Sequence, residues 1–124
     1  MQPTSETEDL LKISTSGQDG ILIVTAEGDV DLCTTPILRQ ALETQCASRT
    51  ERGSVAVDMR DVAFIDSAGL ALLVEIRKRY SDTCRLALIV EAGSQPERVL
   101  RLGRFDTFLQ VCHSLDELTA SAVA

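Results

Sequence analysis

Residues 54–90 constrain the fold most tightly. Ser54-Val55-Ala56-Val57-Asp58-Met59 is a short, β-branched, apolar run with the character of a central strand. Gly69 to Tyr80 carries apolar residues at helical spacing, and Leu86-Ala87-Leu88-Ile89-Val90 is again apolar throughout, as expected of a strand buried on both faces. Strand, helix, strand is the parallel crossover unit, because parallel neighbours need a long connection across the face of their sheet. A chain with such a unit is committed to a sheet with helices packed on it.

The flanking segments extend the pattern. Leu11-Lys12-Ile13-Ser14 alternates like an edge strand, Gly17-Gln18-Asp19-Gly20 reads as a turn, and Ile21-Leu22-Ile23-Val24 as a buried strand, so the two pair as a hairpin. Gly28-Asp29-Val30-Asp31 ends that strand. Thr35, as N-cap, and Pro36, at the first helical position, open a helix to about Ala47, whose Ile37, Leu38, Ala41, Leu42 and Cys46 form an apolar stripe. Ser48 to Gly53 is polar and reads as a loop. Ser94-x-x-Glu97 and Ser114-x-x-Glu117 are capping boxes, the first opening a helix that Gly103 stops and the second a terminal helix, with Phe108-Leu109-Gln110-Val111 as a last strand between them. The expected order is ββαβαβαβα. It predicts a small α/β domain over residues 10–120, with a mixed sheet of four or five strands covered mainly on one face by about four helices. Residues 1–9 read as a flexible acidic tail and 121–124 as a short C-terminal one.

Composition narrows the function. The 124 residues fit one domain, and 44% hydrophobic with 25% charged residues is ordinary for a chain with a core. Twelve Lys and Arg against nineteen Asp and Glu leave a formal net charge of −7, which disfavours direct binding to nucleic acid or anionic membrane and favours protein partners. Aromatics are only 3%, too few for base-stacking platforms. The N-terminus has neither the basic nor the apolar region of a signal peptide, so a cytoplasmic location is expected. In that setting Cys33, Cys46, Cys84 and Cys112, with no C-x-x-C, read as small buried hydrophobes, with a redox pair as the minor alternative. No nucleotide-binding glycine motif and no metal-ligand spacing occurs, so neither cofactor nor metal is expected.

One segment carries chemistry: Asp58-Met59-Arg60-Asp61-Val62-Ala63-Phe64-Ile65-Asp66-Ser67-Ala68-Gly69-Leu70, read as a strand, a short loop and a helix start with Ser67 at the turn. Asp66 or Ser67 can cap the helix, satisfying its unpaired N–H groups. A helix N-terminus also tolerates an added phosphate, and phosphorylation of Ser67 would place about −1.5 to −2 charges beside Asp66. At 3.6 residues per turn, Leu72, Leu73, Ile76 and Tyr80 face the sheet, while Ser67, Leu70, Ala71, Val74 and Lys78 share another side. Leu70 and Val74 either pack beneath a neighbouring helix or belong to a protein-docking strip headed by Ser67.

These residues resemble a known family. Gly28-Asp29-Val30-Asp31 and Asp61-Val62-Ala63-Phe64-Ile65-Asp66-Ser67-Ala68-Gly69-Leu70 are similar to the STAS domain, in particular to the bacterial anti-sigma factor antagonists, over roughly residues 10–120. The resemblance implies that Ser67, directly after the motif Asp66, is the phosphoacceptor. It implies a partner-switching cycle of stress signalling: the unphosphorylated form binds an anti-sigma factor that is also a serine kinase, phosphorylation ends the binding, and a metal-dependent PP2C-type phosphatase restores it. The chain departs from the common family pattern at Ala68, where a second hydroxyl is frequent, and at Ala71, where Gly is frequent. Asp66 and Gly69 are then expected to shape the turn, and Leu70, Ala71 and Val74 to supply docking surface; Asp29 and Asp31, which bracket the turn before the first helix, either cap it or, as the resemblance favours, serve as acidic partner contacts. A monomer or weak dimer is expected.

Other classes compete. A STAS scaffold or accessory domain of a transporter or signalling assembly would not cycle through phosphorylation. A hydrolase is the enzymatic alternative, since Ile65-Asp66-Ser67-Ala68-Gly69 resembles part of a nucleophile elbow; Ile65 replaces its leading glycine and His113, the single histidine, reads as a surface or capping-region residue, so no enzyme is expected. Arg98, Arg101 and Arg104 recur every third residue and form either a solvated face or a basic edge.

Overall fold

The computed structural model describes residues 10–48 and 53–123. The elements are β1 (Leu11–Gln18), β2 (Ile21–Val30), α1 (Thr35–Ala47), β3 (Gly53–Ile65), α2 (Ser67–Arg79), β4 (Cys84–Ile89), α3 (Gln95–Leu102), a 3-10 turn (Phe105–Thr107), β5 (Gln110–Cys112) and α4 (Leu115–Val123). The five strands lie in sequence order in one mixed sheet: β1 is antiparallel to β2, and the pairs β2–β3, β3–β4 and β4–β5 are parallel. Element order and fold class are those expected from the sequence. The proposed acidic tail, residues 1–9, and most of the loop before β3 lie outside the described residues, and α4 continues past position 120.

The hairpin closes through Asp19 and Gly20, both at positive φ (54° and 78°), the conformation of the two-residue turns whose twist suits a hairpin. At the other end of β2, Gly28 has φ 127°, and a Cβ there would lie 2.1 Å from the Leu10 carbonyl oxygen. Only glycine fits where β1 passes so closely.

Strand alternation divides the core. Val24 and Ala26 of β2, Val55, Val57 and Met59 of β3 and Leu86 and Leu88 of β4 pack with Leu38, Leu42 and Cys46 of α1, Leu72, Leu73 and Ile76 of α2 and Leu100 of α3. Each such Val, Leu, Ile or Met side chain withdrawn from water contributes about 1.5–3 kcal/mol. The opposite face holds a smaller cluster, Ile21, Ile23, Ala56, Ala87, Ile89 and Cys112, under Leu115 and Leu118 of α4. Cys46, Cys84 and Cys112 are buried as expected, but Cys33 is exposed. Its N–H donates to the Asp31 carboxylate (2.9 Å) in the tight turn before α1.

Three local readings change. The N-cap of α1 is Thr34 rather than Thr35, and Pro36 lies in the first turn. The final strand is Gln110–Cys112, two residues later than expected at its start. Most consequentially, the loop expected before Ser67 is the second half of β3, which runs to Ile65. Here Glu27 pairs with Asp61, Gly28 with Val62, Asp29 with Phe64 and Val30 with Ile65, across two register irregularities. Buried Val62 and Ile65 stand three residues apart, so the two-residue alternation that marks a strand is interrupted.

Candidate functional site

The long β3 and the end of β2 deliver the two singled-out stretches to one place. Asp66 joins them. Its N–H donates to the Val30 carbonyl oxygen (3.1 Å), its Oδ1 accepts from the Gly69 N–H (3.1 Å), and its Oδ2 accepts from the Leu32 N–H (3.3 Å). The carboxylate therefore caps α2 and ties it to the turn before α1. Of the two candidate caps the structure selects Asp66, and Ser67 becomes the first helical residue.

Gly69 is buried, and a Cβ there would lie 2.6 Å from Ile65 Cγ1 and 2.8 Å from Val30 Cγ1. It seats the helix start on the sheet and presents no side chain to a partner. Gln95, which sequence reasoning missed, holds the other side of this junction. Its amide accepts from the Ile65 N–H and donates to the Ile65 carbonyl oxygen (both 2.9 Å). β4 pairs with β3 only as far as Asp58 opposite Ile89, so Gln95 satisfies backbone groups beyond the end of that ladder.

Asp31 is half-buried and spent within its own turn, where Oδ1 accepts from the N–H of Cys33 and of Thr34 (3.1 Å to the latter). Asp29 is exposed; its backbone carbonyl accepts from the Thr34 hydroxyl (2.8 Å) while its carboxylate faces solvent. Of the two expected acidic contacts, Asp29 alone is presented freely.

Ser67 is exposed, and its hydroxyl has no hydrogen-bond partner among the described residues. It heads an open groove of about 690 Å³ lined by Leu70, Ala71, Val74, Glu75, Lys78, Arg79 and Phe105. Leu70 and Val74 are half-buried: each rests on the core and turns its outer surface to the groove. The helical side assigned from periodicity, Ser67, Leu70, Ala71, Val74 and Lys78, is thus one wall. Phe105, in the 3-10 turn after α3, adds a contact that α2's own period does not contain. It is one of only three phenylalanines in the chain, which was the available signal.

Ion pairs frame this groove. Arg39 of α1 holds Glu75 through two contacts (Nη2 to Oε1, 3.0 Å), and Arg79 meets Glu43 at 2.8 Å, so two α2 side chains are bound back to α1. The Arg39 guanidinium keeps the Glu75 carboxyl below its usual range. Lys78 has no carboxylate partner among the described residues.

The remaining polar candidates lie elsewhere. Arg101 pairs with Glu97 (3.4 Å) and Asp106 (3.1 Å), and Arg98 donates to the Gly93 carbonyl oxygen (2.7 Å), so these arginines brace the surroundings of α3. His113 is engaged by Glu97. That contact, with the Gly93 N–H, depresses the Glu97 carboxyl to about 2. Both capping boxes form: Ser94 and Ser114 accept from the N–H of Glu97 and Glu117 (3.3 Å each), and the glutamates reach back to Gly93 and His113 N–H groups (2.9 and 2.8 Å). No metal-holding group of side chains occurs among the described residues, and no helix there is long and apolar enough to cross a membrane.

With this geometry in place, residues 12–118 match the model of the STAS domain family. The chain is a STAS domain. Its fold superposes on an anti-sigma factor antagonist from Mycobacterium paratuberculosis with a TM-score of 0.79, at 24% identity over 90% of this chain and 94% of the other. A STAS-domain anti-sigma factor antagonist from Planctomyces limnophilus aligns with a TM-score of 0.73 and 18% identity over 89% of this chain and 97% of the other. The murine Solute Carrier 26 family member A9 anion transporter contains a similar unit: TM-score 0.68, 18% identity, 88% of this STAS domain but 19% of the transporter chain. At these identities the likeness establishes the shared fold.

Proposed function

We propose that this STAS domain is a non-catalytic anti-sigma factor antagonist whose protein-binding groove is switched by phosphorylation of Ser67. In this reading the unphosphorylated form binds an anti-sigma factor that is also a serine kinase, and so releases a sigma factor for transcription. A PP2C-type phosphatase reverses the modification.

The observation that carries the reading is the exposed Ser67 hydroxyl, without a hydrogen-bond partner among the described residues, at the mouth of an apolar groove and the start of α2. A phosphate there meets the positive end of a helix, so the fold can hold it. It also brings a strongly solvated charge to a surface that would otherwise be covered by a partner. A hundredfold loss of affinity requires only about 2.7 kcal/mol, well within the cost of desolvating such an anion. No rearrangement of the fold is needed.

The test begins with capture from cell extract on the Ser67→Ala protein, which should retain a kinase-like anti-sigma factor. With that partner purified, Ser67→Ala should bind as the unmodified protein does and Ser67→Glu about a hundredfold more weakly. Incubation with the partner and ATP should add one phosphate, lost in Ser67→Ala. Equal binding by the two variants, or no phosphate gain, overturns the switch. The transporter unit favours a second reading, a non-cycling accessory domain. A transporter subunit encoded next to this chain, with no sigma factor or kinase nearby, would support it.

A further inference from the structure

The opposite end of α2 carries a second, differently built depression. Arg77, Ser81, Cys84, Arg85, Leu86, Phe108 and Gln110 line a pocket of about 170 Å³ where the last turn of α2, the start of β4 and the start of β5 converge. Along the helix axis it lies about 15 Å from Ser67, at 1.5 Å per residue.

Two cationic side chains of this acidic chain line it. The formal net charge is −7, and Arg39, Arg60, Arg79 and Arg101 are all held by carboxylates. Arg77 and Arg85 have no carboxylate partner among the described residues, although Asp82 lies in the adjoining turn. Cations in a last helical turn offset the helix dipole, which accounts for a basic α2 terminus but not for this placement. Arg77 instead lies over the Phe108 ring, 5.7 Å from its centre, in the range of a cation–π contact that holds the guanidinium at the pocket. Arg85 arrives from the neighbouring strand. The half-buried Gln110 side-chain amide likewise has no hydrogen-bond partner among the described residues.

We propose that this pocket binds a phosphate-sized oxyanion, as inorganic phosphate or as the phosphoryl group of a small ester. Donors from three separate elements, Arg77 of α2, Arg85 of β4 and Gln110 of β5, line the space. That arrangement suits a tetrahedral anion with several acceptor oxygens better than a planar carboxylate, and guanidinium forks are well matched to phosphate oxygens. The pocket is smaller than a typical organic-ligand site, so it takes the charged group and leaves any attached carbon skeleton toward solvent.

The test is NMR titration of the full, isotope-labelled chain at constant ionic strength with inorganic phosphate, glycerol 3-phosphate and acetate. The arginine Nε–H signals of Arg77 and Arg85 and the side-chain amide of Gln110 should shift together and saturate with phosphate. Arg77→Gln or Arg85→Gln should each weaken binding at least fivefold, while Lys12→Gln and Arg104→Asn should leave it unchanged. Arg85 is exposed, so its variant keeps the test valid if losing the Arg77–Phe108 contact disturbs packing. Equal affinity for the two phosphates supports a site for the oxyanion itself, and tighter binding of the ester supports an organic phosphate as ligand. Non-saturating shifts, equal losses in the control variants, or acetate binding as tightly as phosphate would overturn the proposal.

Discussion

Thr34 and Ser67 each place a hydroxyl at the N-terminal end of a helix, next to an aspartate-bearing turn, and the fold uses them in opposite ways. Thr34 is fully buried; its Oγ1 accepts from the Asp31 N–H (2.9 Å) and donates to the Asp29 carbonyl oxygen (2.8 Å). Ser67 is exposed, and Asp66 rather than its hydroxyl caps α2. A hydroxyl used to satisfy buried backbone groups cannot be modified without unfolding its surroundings. One relieved of that duty is available to an enzyme at little structural cost.

Substitutions can break or sharpen this contrast. The largest effect is expected beneath it: Gly69→Val would drive a side chain into Ile65 and Val30, whose atoms already lie within 3 Å of the Cβ position, and should cost about 3 kcal/mol in urea denaturation. Thr34→Val keeps the shape but strands the Asp29 carbonyl and Asp31 N–H, for an expected loss of about 2 kcal/mol. Asp66→Ala removes the α2 cap and the Leu32 contact and should cost about 1 kcal/mol. Ser67→Ala should change stability by less than about 0.5 kcal/mol. Were Ser67→Ala as damaging as Thr34→Val, the division between a structural and an available hydroxyl would fail.

The helix starts at Ser94 and Ser114 extend the comparison to pH. Glu97 is held at about 2, below its ordinary value of 4.5, by His113 and the Gly93 N–H. A carboxyl depressed on folding contributes stability that is present above its ordinary value and lost as pH falls through 4.5 toward about 2. The stability difference between the parent and Glu97→Gln should therefore narrow over that window in pH-dependent denaturation. A difference that stays constant there would mean that the carboxylate's contacts do not contribute.

Much of this architecture was legible from short-range pattern. The Asp19-Gly20 hairpin, the capping boxes at Ser94 and Ser114, and the helical side shared by Ser67, Leu70, Ala71, Val74 and Lys78 depend on neighbours within a few residues. Local pattern misled where long-range pairing prevailed. Asp61 to Ile65 looked like a loop because register irregularities against β2 interrupt its alternation, and the α1 cap moved to Thr34 because that hydroxyl bonds to the end of β2.

By itself, then, the amino-acid order determined the succession of strands and helices, the family motif and the candidate serine, because propensity, periodicity and capping act over one or two helical turns. Only the tertiary structure decided that Asp66 rather than Ser67 caps α2, that Phe105 joins the groove, that Gln95 seals the end of β3, and that Arg77 and Arg85 meet beside Phe108. Those outcomes depend on strand register and on where one helix lies against the next. Both are set by the simultaneous burial of the whole core, which no local period encodes.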